Sequence, residues 1–237
     1  MSKKTPLWAA IARTLREEIA QGRYAPGDRL PTEAQLAARF GVNRHTVRHA
    51  LSSLVEDGLV RTRRGAGAFV AARPTEYPLG KRVRFHENLL RAGRRPGRRE
   101  LSLETRTASD TEAQMLHLSP GESVLASHGL SLADGLPIAL SESVFPISRL
   151  PGIECALREN PSVTAALRQS GVADYTRAAT RLTAEVANAA QALHLQIHEG
   201  GPLLRSTSLN VGPDGIPGED GHTWFAGDRV TLTLTEG

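Results

Sequence analysis

A single cysteine, Cys155, occurs in 237 residues, so the chain has neither an intramolecular disulfide nor a second thiol with which to build a metal cage. That scarcity fits a reducing compartment, and a lone cysteine is more often a small buried side chain than a nucleophile. No stretch of eighteen apolar residues occurs. Met1-Ser2-Lys3-Lys4-Thr5-Pro6 leads into a charged amphipathic segment rather than a signal-peptide apolar core. The expectation is a cytoplasmic chain with no membrane partner. The HExxH and Gly-x-Ser-x-Gly patterns of zinc and serine hydrolases are also missing. His194 and His198 are four apart, but Gly200-Gly201 follow at once, and no metal and no cofactor are expected there.

What is present is charge, unevenly spread. Residues 1–73 hold 13 Lys/Arg against 6 Asp/Glu, and residues 74–99 hold 8 against 2, whereas residues 100–237 hold 8 against 17. Lysine and arginine gain affinity for duplex DNA by displacing condensed counterions, so a basic block confined to the first 99 residues marks where a nucleic acid would sit. The plainer alternative, a solvated basic surface, is not excluded by charge alone. The length suits two domains, each large enough to bury a core.

Leu7, Ile11, Leu15 and Ile19 recur every four residues until Gly22, which predicts a first helix. Thr32 and Gln35 have capping-box spacing and open a second, whose apolar side is Leu36, Ala37 and Phe40 and which Gly41 stops. One residue later Asn43 is a strong N-cap for a third helix, with Val47, Ala50, Leu51 and Leu54 as its core stripe. Two short helices joined by so tight a turn form a helix-turn-helix, whose second helix enters the major groove. Arg44 and Arg48, four apart, point the same way from its first two turns, with His45, His49 and Ser52 also off the core stripe. An arginine there can read guanine through two hydrogen bonds, and Asn43 or Thr46 can bond phosphate. Beyond Gly58, residues 59–63 and 68–70 read as strands around Arg64-Gly65-Ala66-Gly67, a wing whose glycines permit close approach to a groove.

The run Leu30-Pro31-Thr32-Glu33, then residues 36–51 with Asn43-Arg44-His45-Thr46-Val47-Arg48, then Gly58-Leu59-Val60 and Gly65-Ala66-Gly67-Ala68-Phe69-Val70, resembles the DNA-binding domain of GntR-family regulators. The resemblance implies that Arg44, Thr46, Arg48 and the wing around Gly65 contact DNA. The full DNA-binding set is Thr32, Asn43, Arg44, His45, Thr46, Arg48, Arg64, Gly65 and Gly67.

Two prolines and a glycine in residues 73–80 interrupt regular structure, which places a winged helix-turn-helix at 6–72, a linker at 73–82 and a second domain at 83–237. The cluster Arg94-Arg95-Pro96-Gly97-Arg98-Arg99 reads as a solvated loop in preference to a contact with DNA or an anion. Residues 122–132 and 136–145 flank Asp134-Gly135, a hairpin signal, residues 184–194 read as a helix, and residues 202–211 and 216–234 as strands. Strands between short helices predict an α+β domain. With a two-residue turn, Ser127, Gly129 and Ser131 oppose Glu142, Leu140 and Ile138, which puts Glu142 on an apolar face in need of a partner, either a ligand or an internal arginine such as Arg181 or Arg205. A slip of one residue brings His128 to that face instead.

Arg84-Phe85 with Gly93, Asp134-Gly135-Leu136-Pro137 with Glu142, Gly201-Pro202-Leu203-Leu204, Asp214-Gly215-Ile216-Pro217 and Glu219 resemble the UTRA effector domain of the HutC branch, an antiparallel sheet with helices similar to chorismate lyase. The resemblance implies an effector pocket of Arg84, Phe85, His86, Ser131, Glu142, Ser162 and Glu219. Sugar-phosphate-sensing relatives carry basic residues at the positions of Gly129 and Ser131. Asn43-Arg44-His45-Thr46 and residues 73–90 look closest to regulators of phosphonate metabolism. The expected function is thus a homodimeric repressor on an inverted-repeat operator, released by a small effector such as a phosphonate or a phosphate-bearing metabolite. An enzyme of chorismate-lyase-like fold and a ligand-independent DNA-binding protein are the alternatives.

Overall fold

The computed structural model describes residues 6–63, 67–71, 74–80, 82 and 84–234, and the chain divides into two compact units, Met1–Arg73 and Pro74–Gly237.

In the first unit, α1 (Leu7–Ala20) buries Ile11, Ala12 and Leu15 against the Val47, Ala50, Leu51 and Leu54 stripe of α3 (Arg44–Glu56). Between them α2 (Glu33–Phe40) adds Leu36 and Ala37. Thr32 caps α2 with both halves of the box in place: Gln35 N donates to Thr32 Oγ1 at 3.3 Å, and Thr32 N donates to Gln35 Oε1 at 2.8 Å. Asn43 Oδ1 caps α3, accepting from Thr46 N at 2.8 Å. His49, which periodicity leaves off the core stripe, instead stacks on Trp8 of α1 with ring centroids 4.2 Å apart. The antiparallel pair β1 (Val60–Arg63) and β2 (Gly67–Val70) follows, and the segment before α2 lies along β2 through Leu30 N to Ala68 O at 2.8 Å and Val70 N to Asp28 O at 2.9 Å.

The second unit is built on one antiparallel six-stranded sheet in the order β4-β5-β6-β9-β8-β7, comprising β4 (Pro96–Thr107), β5 (Ser123–Ala133), β6 (Leu136–Pro146), β7 (Thr176–Val186), β8 (Pro202–Val211) and β9 (Pro217–Ala226). One face carries α6 (Ile153–Glu159) and α7 (Val163–Gln169), packed on Leu125 and Phe145. The other carries α5 (Asp110–Leu116) on Val124 and Val144, and α8 (Ala189–Leu195) on Leu130 and Leu203. A parallel ribbon of β3 (Thr75–Leu79) and β10 (Val230–Leu234), together with α4 (Phe85–Arg91), closes over Phe225, Ala139 and Ala133.

Four expectations change. Thr75–Leu79, inside the expected linker, is a strand of the second unit: Pro78 lacks an N–H, but a two-stranded ribbon leaves one edge on which none is needed. Residues 184–186, the start of the expected helix, end β7, and α8 begins only after the Asn188 cap. Pro96 to Arg99 are not loop but the first rungs of β4. Lastly, the β5–β6 hairpin turns at Asp134 and Gly135, whose φ of 50° and 80° match a type I′ turn, yet its register slips by one residue immediately afterwards. Leu132 pairs with Pro137, and Ser131 with Ala139, so Ile138 is an extra residue; a proline that cannot donate to the ladder sits beside the bulge. From there Gly129 faces Ser141, Ser127 faces Ser143, and His128 faces Glu142.

Candidate nucleic-acid interface and effector pocket

On the first unit, Asn43, Arg44, His45 and Arg48 are exposed at the start of α3, and Thr46 is half-buried. The Thr46 hydroxyl donates to Asn43 Oδ1 at 2.9 Å, so that carbonyl is committed to the cap and the Asn43 amide nitrogen is the group left to meet a phosphate. The Thr32 hydroxyl is likewise engaged with Gln35, at 2.9 Å. Arg48 is not a loose cation: it lies in a two-bond ion pair with Glu33 at the start of α2. Arg44 and His45 also act on Glu33, helping to hold its carboxyl below the ordinary range, although the Arg48 hydrogen bonds are the main cause. On the wing, Gly67 has φ of 104° and lies against the Arg29 guanidinium: a Cβ there would meet Arg29 Nε at 3.2 Å. Arg29 is thus a wing cation that sequence spacing did not suggest, since it precedes the wing by almost forty residues. Arg64 and Gly65 lie outside the described residues.

On the second unit, a cleft of about 230 Å³ opens on the sheet face that carries α7. Six of the seven residues expected to form an effector pocket line it: Arg84, Phe85, His86, Ser131, Ser162 and Glu219. Arg84, the residue before α4, is nearly buried; its guanidinium lies 4.3 Å over the Tyr175 ring and donates through Nη2 to Asp174 Oδ1 at 2.5 Å. Burial, followed by the charge of Arg98, pushes the His86 imidazole below its ordinary pKa. Ser162 caps α7, its Oγ accepting from Ala165 N at 3.4 Å. Glu219 is buried in the floor, where it accepts from Ser143 Oγ at 2.7 Å and from Asn210 Nδ2 at 2.6 Å.

The seventh, Glu142, does not belong to the pocket. The bulge at Ile138 turns it to the opposite face of the sheet, where it meets His128 at 3.4 Å rather than Arg181 or Arg205. Ser141 and Ser143, its neighbours on the strand, face the cleft instead. The cleft also gathers Arg98, Arg168 and Arg177 from β4, α7 and β7, none of which the sequence reading assigned to it. Arg98 was hidden inside an arginine-rich run that resembles solvated loop, and Arg177 sits on a strand with no clear alternation.

Cations outnumber carboxylates in the cleft lining, with Arg84, Arg98, Arg168 and Arg177 against Glu87 and Glu219. Arg84 Nη1, Arg98 Nε, and Arg177 Nε and Nη1 are buried nitrogens with no hydrogen-bond partner among the described residues. Buried donors without acceptors are costly, and guanidinium groups lining one cavity offer forked donors that suit an oxyanion. Among the described residues no cluster of three or more His, Cys, Asp or Glu is placed to hold a metal ion, and no helix is long and apolar enough to cross a membrane.

Comparison with known proteins agrees with this division of labour. The model of the gntR family of bacterial regulatory proteins matches residues 7–70, and that of the UTRA domain matches residues 91–231. The chain is 39% identical over 228 residues to a protein of Escherichia coli K12 described as "Probable transcriptional regulator PhnF", covering 95% of this chain and 90% of that one. It is 30% identical over 207 residues to the HTH-type transcriptional repressor PhnF of Mycolicibacterium smegmatis, covering 87% and 84%. The crystal structure of PhnF from Mycobacterium smegmatis superposes with a TM-score of 0.66 at 28% identity, over 96% of this chain and 99% of that chain.

Proposed function

The chain belongs to the GntR family of bacterial regulatory proteins, in the HutC branch that joins a helix-turn-helix to a UTRA domain, and on that premise we propose that it is a repressor of a metabolic operon released by a small oxyanion. Its domains and relatives are those of DNA-binding transcriptional regulators, not of enzymes.

The observation that carries the proposal is the set of partnerless guanidinium nitrogens on Arg84, Arg98 and Arg177 around one cleft. A phosphonate, or a phosphate-bearing metabolite, offers three oxygens and up to two negative charges, which is what forked donors bind best. The cleft volume of about 230 Å³ falls below the roughly 300–1,000 Å³ of drug-sized pockets, which favours a compact effector. Two copies pair through their effector domains and set two α3 helices on the half-sites of an inverted repeat, about one helical turn apart. The effector lowers operator affinity by as much as it prefers the released state over the DNA-bound one.

The test is fluorescence anisotropy of the full chain on the DNA upstream of its own gene, titrated with methylphosphonate, 2-aminoethylphosphonate and inorganic phosphate. At least a tenfold loss of affinity with one of them is expected. Binding that no compound alters would remove the effector from the account and leave a ligand-independent DNA-binding protein.

A further inference from the structure

Gly129 and Arg98 lie on the adjacent strands β5 and β4, with Arg98 lining the cleft, and their relationship is steric. Arg98 pairs with Ser131, two rungs from the Glu100–Gly129 pair and so on the same face of the sheet. Its side chain does not run out to solvent at the edge of the sheet but turns inward across β5. A Cβ built on Gly129 would lie 2.5 Å from Arg98 Nη2 and 2.6 Å from Cζ, closer than packed atoms come. No other residue type at position 129 leaves the guanidinium where it is.

Once across β5, Arg98 reaches the middle of the floor. Nη1 donates to Ser141 Oγ at 3.1 Å and Nη2 to Ser127 Oγ at 3.5 Å, while buried Nε has no partner among the described residues. The side chain is 9% exposed. Its ion pair is a long one, with Nη2 at 3.7 Å from Glu100 Oε2, and Glu100 also accepts from Ser127 through Oε1 at 2.9 Å. Burial pushes the Arg98 guanidinium below its ordinary pKa, opposed by the charges of Glu100 and Glu219, and Arg98 in turn disfavours a charged His86. A nearly buried cation whose one ion pair, to Glu100, is long, with Nε unpartnered among the described residues and two hydroxyl acceptors, can take a further charged acceptor from the cavity.

We propose that Arg98, lying through the gap left by Gly129, is the floor ligand for the effector's oxyanion and determines the specificity of this cleft for a compact phosphonate or phosphate. The proposal rests on the effector reading above and deepens it. The anion bridges Arg98 Nε from below and the unpartnered nitrogens of Arg84 and Arg177 from the walls. Because the side chain crosses the floor, it also removes depth that a larger effector would occupy.

The experiment uses the full-length chain with methylphosphonate and inorganic phosphate as probes and methanesulfonate as an isosteric monoanion, read by calorimetric titration and, separately, by release of bound DNA. Wild type, Arg98→Met, Gly129→Ala and the double variant are compared, each checked for an unliganded Tm close to that of wild type. Methylphosphonate or phosphate is expected to bind wild type at least tenfold more tightly than methanesulfonate, and Arg98→Met to cost at least tenfold. Gly129→Ala keeps the charge but displaces it, and is expected to cost about as much, with the double variant no worse than Arg98→Met alone. Additive losses, unchanged binding in folded Arg98→Met, or no binding of either dianion to wild type would each overturn the assignment. Probe binding that depends on Arg98 yet leaves DNA affinity untouched would instead overturn the effector-release reading and keep the subsite. DNA release that persists in Arg98→Met would do the reverse. Should Gly129→Ala fail to fold, Arg98→Lys replaces it: the shorter-reaching ammonium, lacking the fork, is expected to lose the preference for dianions.

Discussion

Arg48 donates to both oxygens of Glu33, through Nε to Oε1 at 3.0 Å and through Nη2 to Oε2 at 2.8 Å, so α2 and α3 are tied together on the face proposed to meet the groove. The pair is exposed, and such pairs contribute only about 0–1 kcal/mol. Exchanging the carboxylate for a guanine edge or a phosphate is therefore cheap. In the absence of DNA, Glu33 holds the guanidinium in one orientation and cancels part of the positive field of α3.

Glu33→Gln is expected to raise affinity for random duplex DNA by about three- to tenfold at low salt, since it removes a negative charge from the interface and frees Arg48. The gain shrinks as salt rises. Anisotropy titrations over a salt series would show it, and unchanged or weaker binding would mean that Glu33 keeps its partner, or contacts a base, in the complex.

Among the described residues no ion pair holds Arg44, which is exposed at the start of α3. Arg44→Ala is expected to cost about 1–3 kcal/mol on the operator and much less on random DNA, the signature of a base contact. Arg29→Ala, beside the wing, is expected to weaken both by similar factors and to flatten the salt dependence, as a phosphate contact does. Equal losses for Arg44→Ala on both DNAs would reassign it to the backbone.

The one-residue bulge at Ile138 separates two glutamates that otherwise look interchangeable. Glu142→Gln is expected to change effector affinity less than twofold, because Glu142 faces away from the cleft toward His128. Glu219→Ala leaves the buried donors of Ser143 and Asn210 without an acceptor, an expected stability loss of about 1–3 kcal/mol, and disturbs the effector response as well. Thermal melts and calorimetric titration of the two variants would separate these outcomes, and loss of effector binding in Glu142→Gln would contradict the strand register.

Acid titration addresses the α5 cap. Hydrogen bonds from Arg106 at 2.6 and 2.7 Å, reinforced by the Ser109 backbone N–H, lower the Glu112 carboxyl from 4.5 to about 2 against the opposing effect of burial. A carboxyl depressed on folding stabilises in full above its unfolded value and loses that contribution as pH falls through the folded one. The Tm of Glu112→Gln is thus expected to lie several degrees below wild type at pH 7, and the gap to narrow below about pH 4.5 and close near pH 2. A gap that stays constant through that window would assign the difference to packing.

Local rules carried the sequence a long way. The caps at Thr32 and Asn43, the stop at Gly41, the Asp134-Gly135 turn and the core stripe of α3 are decided by neighbours within a few residues, so they are legible without knowing the rest of the chain. The run from Leu30 to Val70 identified the reader, which the gntR family model matches over residues 7–70. What the sequence by itself could not determine was the whole set of side chains that share the cavity. A strand's facing has a period of two, so the single extra residue beside Pro137 exchanged Glu142 for Ser141 and Ser143 on the cleft face. Arg98 reads as one more surface arginine until the sheet sets it beside a glycine whose missing side chain lets it lie across the floor, and Arg177 joins the cleft only through the pairing of β7 with β8. These placements depend on contacts between residues tens of positions apart, which only the packed sheet decides.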